Sequence, residues 1–251
     1  MKCARARVVR KNEDAAMKKT LRATTLAVAL LAALALANWI YQAARKPSEL
    51  LFPLSGVLFK TPAATWREYG ELFRDHATPV MSPELLAALA QVEGGGNPIA
   101  RTYWRWQPAW NPFEVYTPAS SAVGMLQITD ARFAEARRYC IHDHRAVEQQ
   151  CWFNGLYNRL VPSHAVEMTA AFLDRSVAAT AARAAPKGAT LAQKQDLAAV
   201  IHLCGAAAGE AYARRGFRPA PGQRCGEHGL AAYLQQISTT RRRFARLAAG
   251  P

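Results

Sequence analysis

The chain has 251 residues, about half of them apolar (51%), and a formal net charge of +14. This length suits one sizeable core with an additional segment, and an alanine-rich sequence with few strand-forming residues predicts a mainly helical fold. The charge is uneven: residues 1–46 hold 10 Lys/Arg and 2 Asp/Glu, whereas residues 47–251 hold 22 and 16. The excess in the second part is too diffuse to predict nucleic-acid binding, and it suits an anionic polymer or a membrane surface.

The N-terminal part predicts export. Residues 1–22 are basic and residues 23–41 are almost unbroken apolar sequence, with Trp39 and Tyr41 where an interfacial aromatic belt would lie. We favour an inner-membrane anchor over residues 23–41; cleavage near Ala37, as in a secretory signal, is the alternative. Both readings leave residues 1–22 in the cytoplasm and predict a periplasmic location for the remainder.

Three prolines and a glycine in residues 42–62 predict a linker, and residues 63–251 are predicted to form a single domain. Apolar residues recur at helical spacing along this domain. They predict helices over Ala64–His76, over Ser82 to Glu93, over Arg145–Leu160, from Ser163 or His164 to Val177, over Leu191–Cys204 and over Leu230–Leu247. The stretch Ala178–Thr190, which holds a proline and a glycine, is expected to be a surface loop.

Four cysteines follow the apolar segment, and no pair has the CxxC spacing of a zinc site. No metal or cofactor is therefore predicted. In an exported protein, four cysteines predict two disulfides. We favour Cys140–Cys151 and Cys204–Cys225, because each closes a short loop between helices, although the sequence alone leaves three pairings open.

The most informative residue is Glu93. Ser82 and Pro83 are suited to the start of a helix, and Gly94, Gly95 and Gly96 end it directly after Glu93. This carboxylate lies on the apolar side of the helix and at the negative end of the helix dipole, and both effects raise its pKa. Such an environment is that of a general acid. A partly solvated Glu at a helix end is the alternative.

The segment Tyr103–Tyr116 contains three Trp, two Tyr and one Phe, together with two prolines and one arginine. It predicts an irregular loop. Trp104, Trp106 and Tyr116 are candidates for stacking on sugar rings, since aromatic planes suit the C–H faces of sugars. The alternative is a loop that its aromatic side chains pin over the core.

Two groups of residues carry a resemblance to a known family. Gln91-Val92-Glu93 followed by Asn97-Pro98, and the downstream Ser121-Ala122-Val123-Gly124-Met125-Leu126-Gln127, resemble the lysozyme-like lytic transglycosylases with an SLT domain. In that family a helix ends in a catalytic Glu, usually followed by Ser. A turn close to Gly-Leu-Met-Gln then lines the cleft. Here Gly94 replaces the Ser, and the middle pair of the turn is reversed.

A third family motif, near Ala-Tyr-Asn-Ala-Gly, corresponds to Ile201–Gly205, which keeps only the glycine and has His202 in place of Tyr. The resemblance covers about residues 82–205. It implies a lysozyme-like helical domain in which Glu93 is catalytic. It also implies substrate contacts along the cleft, from Gln127, Met125, Gly124, Ser121 and His202. The alternatives are that Met125 packs under the cleft and that Gln127 and His202 are buried polar residues with hydrogen-bond partners inside the domain.

The chemistry that the resemblance implies needs one carboxylate. The Glu protonates the bond between N-acetylmuramic acid and N-acetylglucosamine, and then takes the proton of the muramic C6 hydroxyl, closing a 1,6-anhydro ring. A hydrolase commonly adds a second carboxylate. The stretch that follows Glu93 is poor in candidates: Glu114 lies in the aromatic segment and Asp130 lies at a helix start.

The sequence thus predicts a monomeric enzyme whose partners are peptidoglycan strands and, through its N-terminal segment, the inner membrane. A hydrolase of the goose-lysozyme kind and a non-catalytic wall-binding protein are the alternatives.

Overall fold

The computed structural model describes residues 2–184, 186 and 188–250, with the backbone only for residues 2–15 and 52. The described residues are mainly helical, as the composition predicts. The α-helices are α1 (Lys2–Arg45), α2 (Phe52–Ser55), α3 (Pro62–Asp75), α4 (Pro83–Gly94), α5 (Asp130–Ala136), α6 (Pro162–Ala184), α7 (Leu191–Cys204), α8 (Ala206–Arg214) and α9 (Leu230–Ala248). Short 3-10 helices cover Pro47–Leu51, Pro112–Glu114 and Asn154–Leu156.

Strands occur in three antiparallel hairpins of two strands each within the described residues. They pair β1 (Trp104–Trp106) with β2 (Tyr116–Pro118), β3 (Cys140–His142) with β4 (Arg145–Val147), and β5 (Arg224–Cys225) with β6 (His228–Gly229).

The chain forms two compact units. The first combines residues 2–49 with Tyr103–Ala119, and the second combines Leu50–Thr102 with residues 120–250. The aromatic segment, which the sequence places inside a domain of residues 63–251, therefore packs with α1. It is a hairpin of β1 and β2 rather than an irregular loop.

In the first unit, α1 extends beyond the predicted residues 23–41 in both directions. Its part Ala16–Arg45 is long and apolar enough to cross a membrane. Residues 42–62, which are predicted to be a linker, include the end of α1 and two short helical segments. The 3-10 helix Pro47–Leu51 and α2 form there, and Gln42, Glu49 and Ser55 are buried.

In the second unit, α4 is the central helix. Six successive residues from Leu85 to Ala90 are completely buried, because α3 and α9 pack against α4 and the core closes over the rest of its surface. The helix begins as predicted, with the Ser82 hydroxyl accepting a hydrogen bond from the Leu85 amide at 3.3 Å. It ends where Gly95 takes the left-handed conformation (φ 58°), and Gly96 donates back to Ala90.

The predicted helix Arg145–Leu160 is wrong. Cys140–His142 and Arg145–Val147 pair across a two-residue turn in which Asp143 and His144 both have positive φ, the conformation that tight hairpins favour. Gln150 also has a positive φ, which a helix excludes. Likewise α6 continues to Ala184, through the first part of the predicted loop Ala178–Thr190.

Both preferred disulfides are confirmed, Cys140 with Cys151 and Cys204 with Cys225. The first closes the hairpin of β3 and β4. The second joins the end of α7 to β5, in the hairpin that precedes α9, and so restrains the two segments that carry His202 and Tyr233.

Candidate functional site

Glu93 lies in the last turn of α4, and 15% of its side chain is exposed. Its Oε1 atom accepts a hydrogen bond of 2.5 Å from the Tyr233 hydroxyl. Tyr233 belongs to the first turns of α9 and is itself buried. The close packing of α4 against α9 therefore brings together two residues that are 140 positions apart in sequence.

Burial raises the pKa of Glu93, and this effect exceeds three that lower it: the hydrogen bond from Tyr233 and the electrostatic effects of His228 and Arg132. Burial also raises the pKa of Tyr233, and the neighbouring Glu93 carboxylate raises it further. The phenol consequently keeps its proton and acts as a donor, while the carboxyl group is the member of the pair that exchanges a proton.

His202 is a buried neighbour of Glu93. Its Nε2 atom lies 3.7 Å from Glu93 Oε1, and only 2% of its side chain is exposed. Burial and the nearby Arg132 guanidinium lower the pKa of His202 to about 3, so the ring is neutral and the pair is not a salt bridge. Arg132 Nη1 lies 3.3 Å from His202 Nδ1. Since a guanidinium only donates, Nδ1 accepts and the ring proton lies on Nε2, facing the carboxylate and the Leu126 backbone.

Arg132 is fixed by the end of α7. Its two terminal nitrogens donate to the carbonyl oxygens of His202, at 2.5 Å, and Ile201, at 3.1 Å. A cation there is favoured by the negative end of the helix dipole. The guanidinium thus holds His202 in place and supplies positive charge near Glu93.

The turn Gly124–Gln127 packs directly on the end of α4. A Cβ atom at Gly94 would lie 2.7 Å from both the Cα and the carbonyl oxygen of Met125, which leaves no room for a side chain. Gly124 has φ 80°, and a Cβ there would lie 2.5 Å from the Arg159 carbonyl oxygen. Both glycines are therefore required by close backbone approach.

Gln127 and Ser121 each form hydrogen bonds to the backbone in or beside this turn. The Gln127 amide nitrogen donates to the carbonyl oxygens of Gly124, at 2.8 Å, and Ala100, at 3.3 Å. The Ser121 hydroxyl accepts from the backbone amide of Asp130 at 3.1 Å. These bonds fix the shape of the turn, and any substrate contact by the Gln127 amide nitrogen would compete with them.

The structure shows that the remaining predicted substrate residues pack against other protein groups. The Met125 side chain is completely buried in the core. Trp104, Trp106 and Tyr116 belong to the first unit, where their rings pack together: the centroid of Tyr116 lies 5.1 Å from that of Trp104 and 4.5 Å from that of Trp106.

Both candidate second carboxylates are paired with arginines. Asp130 forms a salt bridge of 2.6 Å with Arg159, and Glu114, in the first unit, forms one of 2.9 Å with Arg45. Arg159 also donates to the carbonyl oxygens of Ser121 and Ile128, so it clamps the segment around the turn. The groups that act most on the pKa of Glu93 include no carboxylate.

Three residues of this arrangement are not predicted as site residues from the sequence: Tyr233, Arg132 and Arg159. The sequence signal for Tyr233 is its place on the inward face of the last predicted helix, since a buried phenol needs a hydrogen-bond partner. The two arginines bind mainly backbone carbonyls, which leave no signature in the sequence.

No protein-family model, curated protein or solved structure matches this chain.

The close approach at Gly94 predicts that Gly94→Ala is destabilising. Alanine would favour the helix by about 1 kcal/mol at an unhindered position. Here its methyl group displaces the Met125 backbone, and we expect the free energy of unfolding to fall by about 1–3 kcal/mol. Urea unfolding measures this. Gly56→Ala is the control, since no atom lies within 4 Å of the added Cβ there. A Gly94→Ala protein as stable as the wild type would contradict the close approach.

The raised pKa of Glu93 predicts that Glu93→Gln stabilises the fold at neutral pH. The folded state disfavours ionised Glu93, so the wild type loses stability as the pH rises above the ordinary value of 4.5. The neutral amide avoids this loss, and we expect a gain on the order of 1 kcal/mol at pH 7 that disappears near pH 4.

The same unfolding measurements at several pH values test this difference. Glu84→Gln is the matched control: Glu84 is in the first turn of α4, where the helix dipole favours a negative charge, so its removal should not stabilise. A gain for Glu93→Gln that does not depend on pH would argue against a raised pKa.

Proposed function

We propose that this chain is a peptidoglycan lytic transglycosylase with a lysozyme-like helical domain, in which Glu93 acts first as acid and then as base. The observation that supports this most is the buried Glu93 carboxyl group with its raised pKa, held by Tyr233 at the end of α4. The motifs at Gln91–Glu93 and Gly124–Gln127 support the same activity, because the turn and the helix end lie in direct contact.

In the first step, protonated Glu93 would give its proton to the glycosidic oxygen between N-acetylmuramic acid and N-acetylglucosamine. Both contacts of the carboxyl group are to Oε1, which leaves Oε2 to carry that proton. The bond from C1 to the oxygen breaks, and the N-acetylglucosamine part leaves with a C4 hydroxyl. The charge remaining on Glu93 is stabilised by the Tyr233 hydroxyl and by Arg132.

In the second step, the Glu93 carboxylate would take the proton of the C6 hydroxyl of the muramic residue. The C6 oxygen then bonds to C1 and closes the 1,6-anhydro ring, which returns Glu93 to its protonated form without consuming water. A single carboxylate suffices for both steps, in agreement with the pairing of Asp130 and Glu114 to arginines.

The location that we propose is the periplasm, with α1 as an inner-membrane anchor. The apolar helix of residues 16–45 and the two disulfides support it, because disulfides persist in oxidising compartments. The peptidoglycan layer is an anionic polymer in that compartment, and the net positive charge of residues 47–251 favours its binding.

We predict that Glu93→Gln abolishes turnover, lowering the rate by at least about 10²-fold, since the amide cannot transfer a proton. Purified protein would be incubated with isolated cell-wall sacculi, and the released fragments analysed by mass spectrometry. The wild type should release 1,6-anhydro products, which lack one water relative to hydrolysis products. Glu84→Gln, on the same helix, should retain full activity.

The same measurement separates the alternatives. Products with free reducing ends would indicate a goose-lysozyme-like hydrolase. Wild-type protein that binds sacculi and releases no fragments would indicate a non-catalytic wall-binding protein. Retained activity in Glu93→Gln would contradict the assignment of Glu93.

We further predict that Tyr233→Phe changes the pH dependence of the rate. The hydroxyl lowers the pKa of Glu93, so its loss lets that pKa rise. Activity requires protonated Glu93 and falls as the pH rises through its pKa; in Tyr233→Phe this fall should lie at higher pH. The maximal rate should drop by about tenfold or more, because the carboxylate formed in the first step loses a donor. An unchanged profile would contradict this role.

A further inference from the structure

We propose that the aromatic hairpin, residues 103–119, is a membrane-interface element that lies in the lipid headgroup region where α1 leaves the bilayer. This proposal rests on the proposed anchoring role of α1 and is independent of the catalytic activity. All the residues that carry it belong to the first unit.

The aromatic hairpin is attached to the C-terminal end of the apolar helix. Asn38 donates to the Tyr116 carbonyl oxygen at 2.9 Å, Gln42 donates to that of Phe113, and Arg45 forms its salt bridge with Glu114. Asn38, Gln42 and Arg45 are four and then three positions apart, so they share one face of α1.

These contacts lie at the end of the apolar segment, where the headgroup layer would begin. The eight residues from Asn38 to Arg45 span about 10 Å along the helix. They follow directly on the apolar segment, whose leucines and valine are exposed in the structure, including Leu26, Val28, Leu30, Leu31, Leu34 and Leu36. A hydrocarbon core of about 30 Å would take about 20 residues and end near Trp39 and Tyr41.

The surface of the aromatic hairpin has the composition of an interfacial belt. Trp106 is 75% exposed, and Trp110 is fully exposed. Indole rings favour the headgroup region, because the ring is apolar and its N–H group is polar. Arg105 is also exposed and, on the opposite face of the strand to Trp106, is suited to lipid phosphates.

The remaining aromatic residues build the hairpin. The Trp104 indole nitrogen donates to the buried Glu49 carboxylate at 2.9 Å, and Lys46 pairs with the same carboxylate at 3.2 Å. Phe113 stacks on Tyr41 of α1 with a centroid distance of 5.3 Å. These contacts hold the hairpin on α1 and present Trp106 and Trp110 outward.

The test uses the full chain reconstituted into phosphatidylcholine vesicles that contain lipids brominated on the acyl chains near the headgroup. Bromine quenches only those tryptophans that are in contact with the bilayer. We expect Trp110→Phe and Trp106→Phe each to remove a quenched component, so the quenched fraction of the total emission falls. Trp152→Phe is the matched control, an 82% exposed tryptophan of the second unit, and its loss should raise that fraction.

Trp39→Phe tests α1 separately. Loss of a quenched component in this variant, together with retention of the protein in carbonate-washed vesicles, shows that the helix is inserted. A hairpin whose variants raise the quenched fraction, as Trp152→Phe does, would lie in water, and the proposal would be wrong. Protection of Trp106 and Trp110 from acrylamide by soluble peptidoglycan fragments, with no quenching by brominated lipid, would instead assign the hairpin to glycan binding and overturn the proposal.

Discussion

The structure of the second unit depends on how a carboxyl group is accommodated at the end of a helix that is buried on all sides. An amphipathic helix would place Glu93 in water, but α4 has no solvent-facing side between Leu85 and Ala90. A polar group in such a position needs a hydrogen-bond partner. Tyr233 supplies it from α9, near the other end of the chain. The contact to Glu93 is therefore complete only when α9 packs against α4.

Gly94 allows the turn Gly124–Gln127 to pack against the end of α4, beside Glu93. A residue with a side chain at this position would hold the turn Gly124–Gln127 away from the helix, whereas glycine lets the Met125 backbone lie against it. The carboxyl group is then positioned by Tyr233 and by the neutral His202 ring, rather than by the residue that follows it. Glu93 therefore has contacts from α9 and α7 that hold its carboxyl group in place, although glycine follows it in the sequence.

The sequence predicts what is local and misses what is long-range. The start of α4, its termination at three glycines and both disulfides follow from capping, backbone freedom and short loop closure. The helix predicted after Cys140 does not form. Its apolar residues recur at helical spacing, but a disulfide and a turn with two positive φ values impose a hairpin instead. Of the site, Glu93 is identifiable from its position at a helix end. Tyr233 and Arg132 are not, since their partners lie 140 and about 70 positions away.

The aromatic hairpin belongs to the first unit, although the chain on both sides of it belongs to the second. Thr102 donates to the Ser120 carbonyl oxygen at 3.2 Å within the second unit, and Ala119 donates to Tyr103 at 2.8 Å within the first. The segment between them leaves and returns at one point, so closing it demands little of the rest of the fold. In the role proposed for the hairpin, its aromatic residues suit a membrane surface, and their packing partners lie within the first unit. A tryptophan-rich stretch can therefore stand between the two motifs, at Gln91–Glu93 and Gly124–Gln127, that lie in direct contact in the second unit.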